Sequence, residues 1–444
     1  MLNNTVGFNK YKYCPVVLVV LWLLFTLLLY TIGPFAWVTY KPFLFYSLQI
    51  FYISFFVLGY IVGVRSPNRA REWSGFGEKK LLKILTPLLV VSAIFLLINM
   101  FREHGYASFD FSGLYKDIIS GLTDMGEGYV NRNVEGENTI GGLAYTAVYM
   151  LWSLFDFNVI LLGILYFKKG KRLTKIFTII CCAGIVMHFM SIGTNIGVFR
   201  IILAIFIFYA INKLNNVVLN KSKRVSMRKI YIAALVAVIA IVVYFKATMK
   251  SRGGDVYFSL EHCNIGGIGI NRDSICFKIF PEELYMLLVS LSSYFTQGLY
   301  GFSLCTEVPW TPMFGFGMSY QVVDMISDYL WDIEKYTFQF KVQEIFSWSR
   351  SLQWASAYSW MANDVSLYGV VIIMFILGFF LAKSFKASLT TSNPFAKIVL
   401  FYLTITCIFL PCNYQIMQSL YTLPAFIMAC ICWLCTTKVK IRIR

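Results

Sequence analysis

Apolar runs long enough to cross a bilayer recur along this chain, and no soluble fold can bury so many of them. A helix needs about 20 apolar residues to traverse about 30 Å of hydrocarbon. Ten stretches read as spans: 14–33, 43–64, 81–101, 141–167, 173–191, 194–212, 230–247, 365–384, 395–412 and 415–436. The length alone would suggest two or three soluble domains, but the chain is 58% hydrophobic and only 14% charged, which overrides that prior. Lys10 and Lys12 precede the first run as they would in a secretory signal. That run is too long for a signal, and no small-x-small cleavage pattern follows Ile32-Gly33-Pro34, so it is read as a retained span.

The net charge of +17 would fit a nucleic-acid binder if it were spread over the chain or gathered on one face. Instead it follows the spans. Under the ten-span reading one side carries 26 of the 39 Lys and Arg residues, against Glu72 and Glu78 as its acids. Short cytoplasmic loops concentrate Lys and Arg, so the basic excess is a topology signal and both termini are expected in the cytoplasm. The same count excludes 284–305 as an eleventh span, since accepting it would move Lys438, Lys440, Arg442 and Arg444 outside. That stretch also contains Ser290, Ser292, Ser293, Thr296 and Gln297, polar groups that hydrocarbon penalises. It reads as an amphipathic helix lying in the interface.

The expected fold is therefore an all-α polytopic membrane protein. Residues 1–247 carry seven transmembrane helices and an outer loop at 102–140, with a short helix around 112–122. Residues 248–364 form one large outer loop with interfacial helices, one or two of them within 318–348. Residues 365–444 carry the last three spans. Cys181, Cys182, Cys407, Cys430, Cys432 and Cys435 lie in or near spans and read as small core residues. Cys263 and Cys276 flank a hairpin-like stretch, Asn264 to Gly269; in an oxidising compartment they would be able to pair, and the free-thiol alternative stays open.

Charged groups inside apolar runs are costly and mark partners or cavities. Asp156 lies within the fourth run and Arg200 near the start of the sixth. Arg200 offers a planar, permanently charged fork suited to phosphate; the bland alternative is snorkelling to headgroups. Arg102, Arg132, Arg252, Arg272 and Arg350 stand on an outer side that is acidic overall. If the approach to the eighth span is helical, Arg350, Trp354, Ala357 and Met361 share one face, with Asp364 on nearly the same side. That places a cation, an indole and a carboxylate along one edge, against the alternative of an interfacial aromatic belt. The acids available as a general base are Glu282, Glu283, Glu307, Asp324, Asp328, Glu344 and Asp364, and His262 is the single histidine of the large loop. Walker, dinucleotide-binding, HExxH and nucleophile-elbow patterns are missing from the sequence, so neither a cofactor nor a metal is expected.

Tyr294, Gln297-Gly298, Tyr300-Gly301, Phe314-Gly315, Gly317, Arg350, Trp354, Trp360, Asn363-Asp364, Gly369 and Gly378 form a run that resembles the Wzy-type oligosaccharide repeat-unit polymerases over roughly 294–380. The two long outer loops and the number of spans are similar too. The resemblance implies an inner-membrane glycosyltransferase of the polytopic GT-C-like class that needs no metal. Such an enzyme takes repeat units on undecaprenyl diphosphate at the periplasmic face and transfers the growing glycan onto the next unit, building O-antigen, capsule or exopolysaccharide. Membrane lipid, a flippase and a chain-length regulator are the implied partners, and nucleic acid is not. An Arg-x10-Gly spacing found in some members is met here only by Arg102 and Gly113, and no role is carried over from it. Joined to the residue reading, the resemblance assigns Arg200, Arg252, Arg272 and Arg350 to the diphosphate. Tyr294, Gln297, Tyr300, Trp354 and Trp360 are assigned to the glycan path, and Asp364 or Glu283, with Arg350, to catalysis. An O-antigen ligase, which uses the same donor, and a lipid-linked oligosaccharide flippase are the alternative readings.

Overall fold

The computed structural model describes residues 8–67, 75–105, 109–123, 143–191, 194–219, 227–253, 264–391, 393–419 and 421–437. Helices occupy all ten apolar runs: α1 (Cys14–Ile32), α2 (Pro42–Arg65), α3 (Gly75–Glu103), α5 (Leu143–Ser153) with α6 (Asp156–Tyr166), α7 (Arg172–Ser191), α8 (Ile196–Val218), α9 (Met227–Gly253), α14 (Ala357–Thr390), α15 (Pro394–Phe409) and α16 (Leu423–Thr436). Between α3 and α5 lies α4 (Phe111–Thr123), where the short outer helix was expected. Eight helices are long and apolar enough to cross a membrane, with residues 147–166 of α5 and α6 counted as one. The chain is thus a largely helical protein with the make-up of a multi-pass membrane protein.

The last two apolar helices are shorter than a span requires, with 16 residues in α15 and 14 in α16. Their connector, 410–422, folds into the protein instead of extending either helix. Leu410, Cys412, Tyr414 and Ile416 in it are buried, and Leu410 O accepts the amide of Ala357 at 3.0 Å.

The long segment between α9 and α14 begins, within the described residues, with a two-stranded hairpin, β1 (Asn264–Ile265) and β2 (Ile268–Gly269), turning through Gly266 and Gly267 at φ 58° and 82°. Two successive positive-φ positions are what a type I′ turn demands, which explains the glycine pair. Cys276 nearby carries a free thiol; Cys263, its expected partner, lies outside the described residues. Then follow α10 (Ile275–Ile279), α11 (Glu282–Leu304), α12 (Tyr320–Tyr329) and α13 (Phe338–Phe346).

Helix α11 is the stretch rejected as an eleventh span, and it is not among the eight membrane-length apolar helices. It does not lie on the surface either. Residues 296–304 are wholly buried, with Trp22 edge-on to Phe295 at 4.9 Å and Trp37 stacked on Tyr300 at 5.0 Å. Its hydroxyls are tolerated inside because they bond back to their own helix: Ser290 to Met286 O, Thr296 to Ser292 O and Ser303 to Tyr300 O, at 2.7–3.0 Å. A Cβ on Gly298 would come within 2.2 Å of Cys412 O, so glycine here lets α11 sit directly on the 410–422 connector.

The central pairing is α2 with α14. Small residues meet backbone along this seam. Added Cβ atoms would lie 2.0 Å from Phe375 O at Gly59, 2.6 Å from Phe379 O at Gly63 and 2.1 Å from Phe56 O at Gly378. Close backbone approach through small residues is the usual means of packing helices where the hydrophobic effect gives no preference for protein over lipid. Gly378→Leu is therefore expected to lower stability by ~1–3 kcal/mol or more, read as an earlier thermal unfolding of the detergent-solubilised protein. Gly267→Leu, where nothing lies within 4 Å, should leave this seam unchanged.

Candidate functional site

The chain departs from straight helix where its buried charges lie. Residues 154–155 interrupt one apolar run and separate α5 from α6. Asp156 opens α6, where the helix dipole and unpaired amides favour an anion. It is fully buried, and its carboxylate accepts from Trp152 Nε1 at 3.1 Å and from the Tyr421 hydroxyl at 2.6 Å. Asn158, one turn on, donates to Leu154 O at 3.1 Å and Ala425 O at 2.7 Å, while its Oδ1 accepts from the Tyr402 hydroxyl at 3.1 Å. The break is thereby stitched to α15 and α16.

Arg200 lies early in α8 and is 2% exposed. Its guanidinium faces the Phe189 ring at 5.4 Å, near the end of α7, and Tyr149, Tyr402 and Tyr421 are its electrostatic neighbours. Among the described residues Nε and Nη1 have no hydrogen-bond partner, and no carboxylate pairs with the group. Snorkelling is thus not what happens, because the head group is enclosed by protein. A buried charge without a partner costs several kcal/mol. Nε and Nη1 of Arg200 are thus buried donors without an acceptor among the described residues. Tyr402 and Tyr421 link it to the Asp156 break, and Arg102, over the Tyr149 ring at 5.9 Å, approaches from α3.

Arg350 belongs to a different place. The helical face expected to carry Arg350, Trp354, Ala357 and Met361 does not form, because α14 starts only at Ala357 with Ser356 as its cap. The physical reason lies in the backbone donors. Arg350 N bonds Gln343 Oε1, Trp354 N bonds Gln297 Oε1 and Ser356 N bonds Gly298 O, so neighbouring elements take the amides that a helix would use. The Arg350 guanidinium is ion-paired with Glu334 and sits over Phe340 at 5.6 Å. Burial and the Asp328 carboxylate push the Asp324 carboxyl up, with Arg350 and the Tyr320 hydroxyl opposing. Arg350 is therefore the counter-ion of the acids around it, Glu334 and Asp324.

Asp364 is an anchor: Oδ1 accepts the amides of Gly315 at 2.7 Å and Gly317 at 3.0 Å. This holds the Phe314–Gly317 turn, whose Phe314 and Gly315 have positive φ, against α14. Asn363 locks the same region, accepting Phe338 N and donating to Gly317 O. Within the expected glycan path, Tyr300 and Trp360 are buried and their rings are used against Trp37 and Tyr320. Gln297 is buried and fixed to Trp354 N. Tyr294 and Trp354 remain partly exposed, edge to face at 4.8 Å. Arg272 is exposed beyond the hairpin. Glu283 and Arg252 lie in α11 and α9 but their side chains are outside the described residues, as are Arg132 and His262.

Tyr421 bonds Asp156 and is, with Tyr402, an electrostatic neighbour of Arg200, whereas Arg350 and Asp364 have other partners. Tyr402, Tyr421 and Asn158 were not anticipated. Their signal is polar groups in apolar runs, which spacing alone cannot tell from ordinary core tyrosines. No metal-holding cluster occurs among the described residues.

An unpaired buried cation is poor for stability, and filling its place with an apolar chain is often stabilising by ~1–4 kcal/mol. Arg200→Met is therefore expected to raise the thermal stability of the purified protein while removing its function; a lower unfolding temperature would show that the charge has a structural partner. No family model, curated protein or solved structure matches the chain.

Proposed function

We propose that the protein is an inner-membrane glycosyltransferase that polymerises oligosaccharide repeat units carried on undecaprenyl diphosphate. The observation that carries this reading is Arg200, a buried guanidinium with unpartnered donors beside a broken helix. In glycosyl transfer from a lipid diphosphate, the anomeric C–O bond breaks and its electron pair leaves with the diphosphate. A fixed cation in a water-poor site stabilises that departing charge without reorganising. A guanidinium can give two donors to one phosphate. In this reading the segment between α9 and α14 would roof the site in the working complex, with the partly exposed Tyr294–Trp354 pair as a stacking surface for sugar. Arg350, paired with Glu334, shapes that roof. In this reading α15 and α16 cross together with the non-helical residues of their runs, so that all ten runs span, both termini are cytoplasmic, the architecture is GT-C-like, and a flippase and a chain-length regulator work alongside.

The strain producing the glycan tests this. Arg200→Ala should leave single repeat units on the final acceptor while long chains vanish, with normal amounts of inserted protein. Arg350→Ala should shorten chains less severely, since its role here is to hold the roof. An unchanged ladder in Arg200→Ala would refute the assignment, and loss of even the single-unit product would point to a ligase. Transport of the lipid-linked unit is a second reading, favoured by the break before Asp156 and by the kink at Ser366 (φ 66°) inside α14, since transporters build midplane sites from discontinuous helices. Flipping of labelled lipid-linked units in protein-containing vesicles, with no polymer formed, would decide for it.

A further inference from the structure

A histidine outside the regions considered above stands between a carboxylate and a hydroxyl. His104 follows α3 directly. Its Nδ1 lies 3.1 Å from Asp117 Oδ2 on α4, and its Nε2 lies 2.9 Å from Ser191 Oγ at the end of α7. The side chain is 11% exposed. Three separate helices therefore converge on one imidazole, with a carboxylate on one nitrogen and a hydroxyl on the other. This is the arrangement that fixes tautomer and orientation in acid–base catalysis.

Ser191 makes this cluster informative. Its Oγ also lies 2.8 Å from His188 O as a donor, yet a hydroxyl has one proton to give. If that proton goes to His188 O, the hydrogen bond to Nε2 requires an N–H there, so the ring is charged and paired with Asp117. If it goes to Nε2, the ring is neutral and keeps Nδ1–H on Asp117. Turning one hydroxyl accommodates either charge state, with both ring nitrogens bonded throughout. A base that must take up and release a proton in each cycle needs this property.

The cluster also adjoins the candidate site. Phe189, under the Arg200 guanidinium, and Ser191, on Nε2, lie on the same last turn of α7. Arg102, two residues before His104, faces Tyr149, which is itself an electrostatic neighbour of Arg200.

We infer that His104 is the general base of the reaction, with Asp117 as its positioning residue; this rests on the glycosyl-transfer reading above. The acceptor sugar hydroxyl replaces Ser191 as the donor to Nε2, while Ser191 keeps its bond to His188 O. As the acceptor oxygen bonds the anomeric carbon, its proton passes to Nε2. The bond from that carbon to the diphosphate oxygen breaks, and the electron pair leaves on the diphosphate beside Arg200. The imidazolium is held by Asp117 until it releases its proton. Ser191 as a nucleophile is the competing chemistry.

The test uses the full-length protein in lipid vesicles supplied with repeat units on undecaprenyl diphosphate. His104→Ala should slow polymer formation by about 100-fold or more, the usual range for losing a general base, and added imidazole should restore part of the rate. Asp117→Asn should give a smaller loss that imidazole does not relieve. A fluorophosphonate probe should leave Ser191 unlabelled. Polymer at the wild-type rate from His104→Ala overturns the inference. So does the absence of any imidazole rescue in a His104→Ala protein that unfolds at the wild-type temperature, and so does labelling of Ser191. Wild-type protein that makes no polymer defeats the glycosyl-transfer reading itself and takes this inference with it; polymer from the wild type with unaffected variants defeats the inference alone.

Discussion

Hydrocarbon offers no hydrogen bonds, so every polar group placed inside it has to be answered by the protein. This structure breaks its helices and then answers the breaks one by one. Asn158 takes up carbonyls of Leu154 and Ala425 across the interruption before Asp156. At the Ser366 kink, Ser366 Oγ caps Gly369 N at 3.4 Å and the Tyr52 hydroxyl donates to Leu367 O at 2.5 Å. The end of α14 is closed by Asn215, whose amide meets the carbonyls of Ser388, Leu389 and Thr391 at 2.9–3.1 Å. The buried charges divide in the same light. Asp156 has two donors, and Lys397 reaches Asn212 Oδ1 at 2.7 Å. Arg200 is the buried charge whose Nε and Nη1 have no hydrogen-bond partner among the described residues, and the proposed function rests on that departure.

The rest of the architecture presents this cation. The glycine seam between α2 and α14 brings two backbones into contact and fixes α14. The first part of α14 in turn holds the segment between α9 and α14 through Asn363 and Asp364. Above it, α11 and the 410–422 connector pack backbone to backbone at Gly298, which brings Tyr421 to Asp156. Structural charges on the roof, Arg350 with Glu334 and Lys41 with Glu307 at 3.3 Å, are paired. Charge is thus paired in that segment, whereas two guanidinium nitrogens of Arg200 stay without a hydrogen-bond partner in the interior.

Much of the fold was legible because apolar length and charge asymmetry act over whole segments. Each of the ten apolar runs carries a helix, the last only from Leu423, and 284–305 could be set apart by its serines. The burial of α11 was not legible, since serines that bond back to their own helix read as exposed polar residues until the packing is known. The helical face through Arg350 and Trp354 failed for a related reason: glutamines distant in sequence, Gln297 and Gln343, take the amides. At the site, Arg200 and Asp156 stood out as charges in apolar runs, whereas Tyr402 and Tyr421 did not. His104, Asp117 and Ser191 come from three separate elements with no shared spacing, so only the folded chain brings them together.

The central claim is that Arg200 receives a lipid diphosphate, and direct binding tests it most simply. Calorimetric titration of the detergent-solubilised protein with undecaprenyl diphosphate should show saturable binding that weakens by about tenfold or more in Arg200→Met, the loss expected for a hydrogen bond to a charged group. Equal affinity in the two proteins would contradict the account.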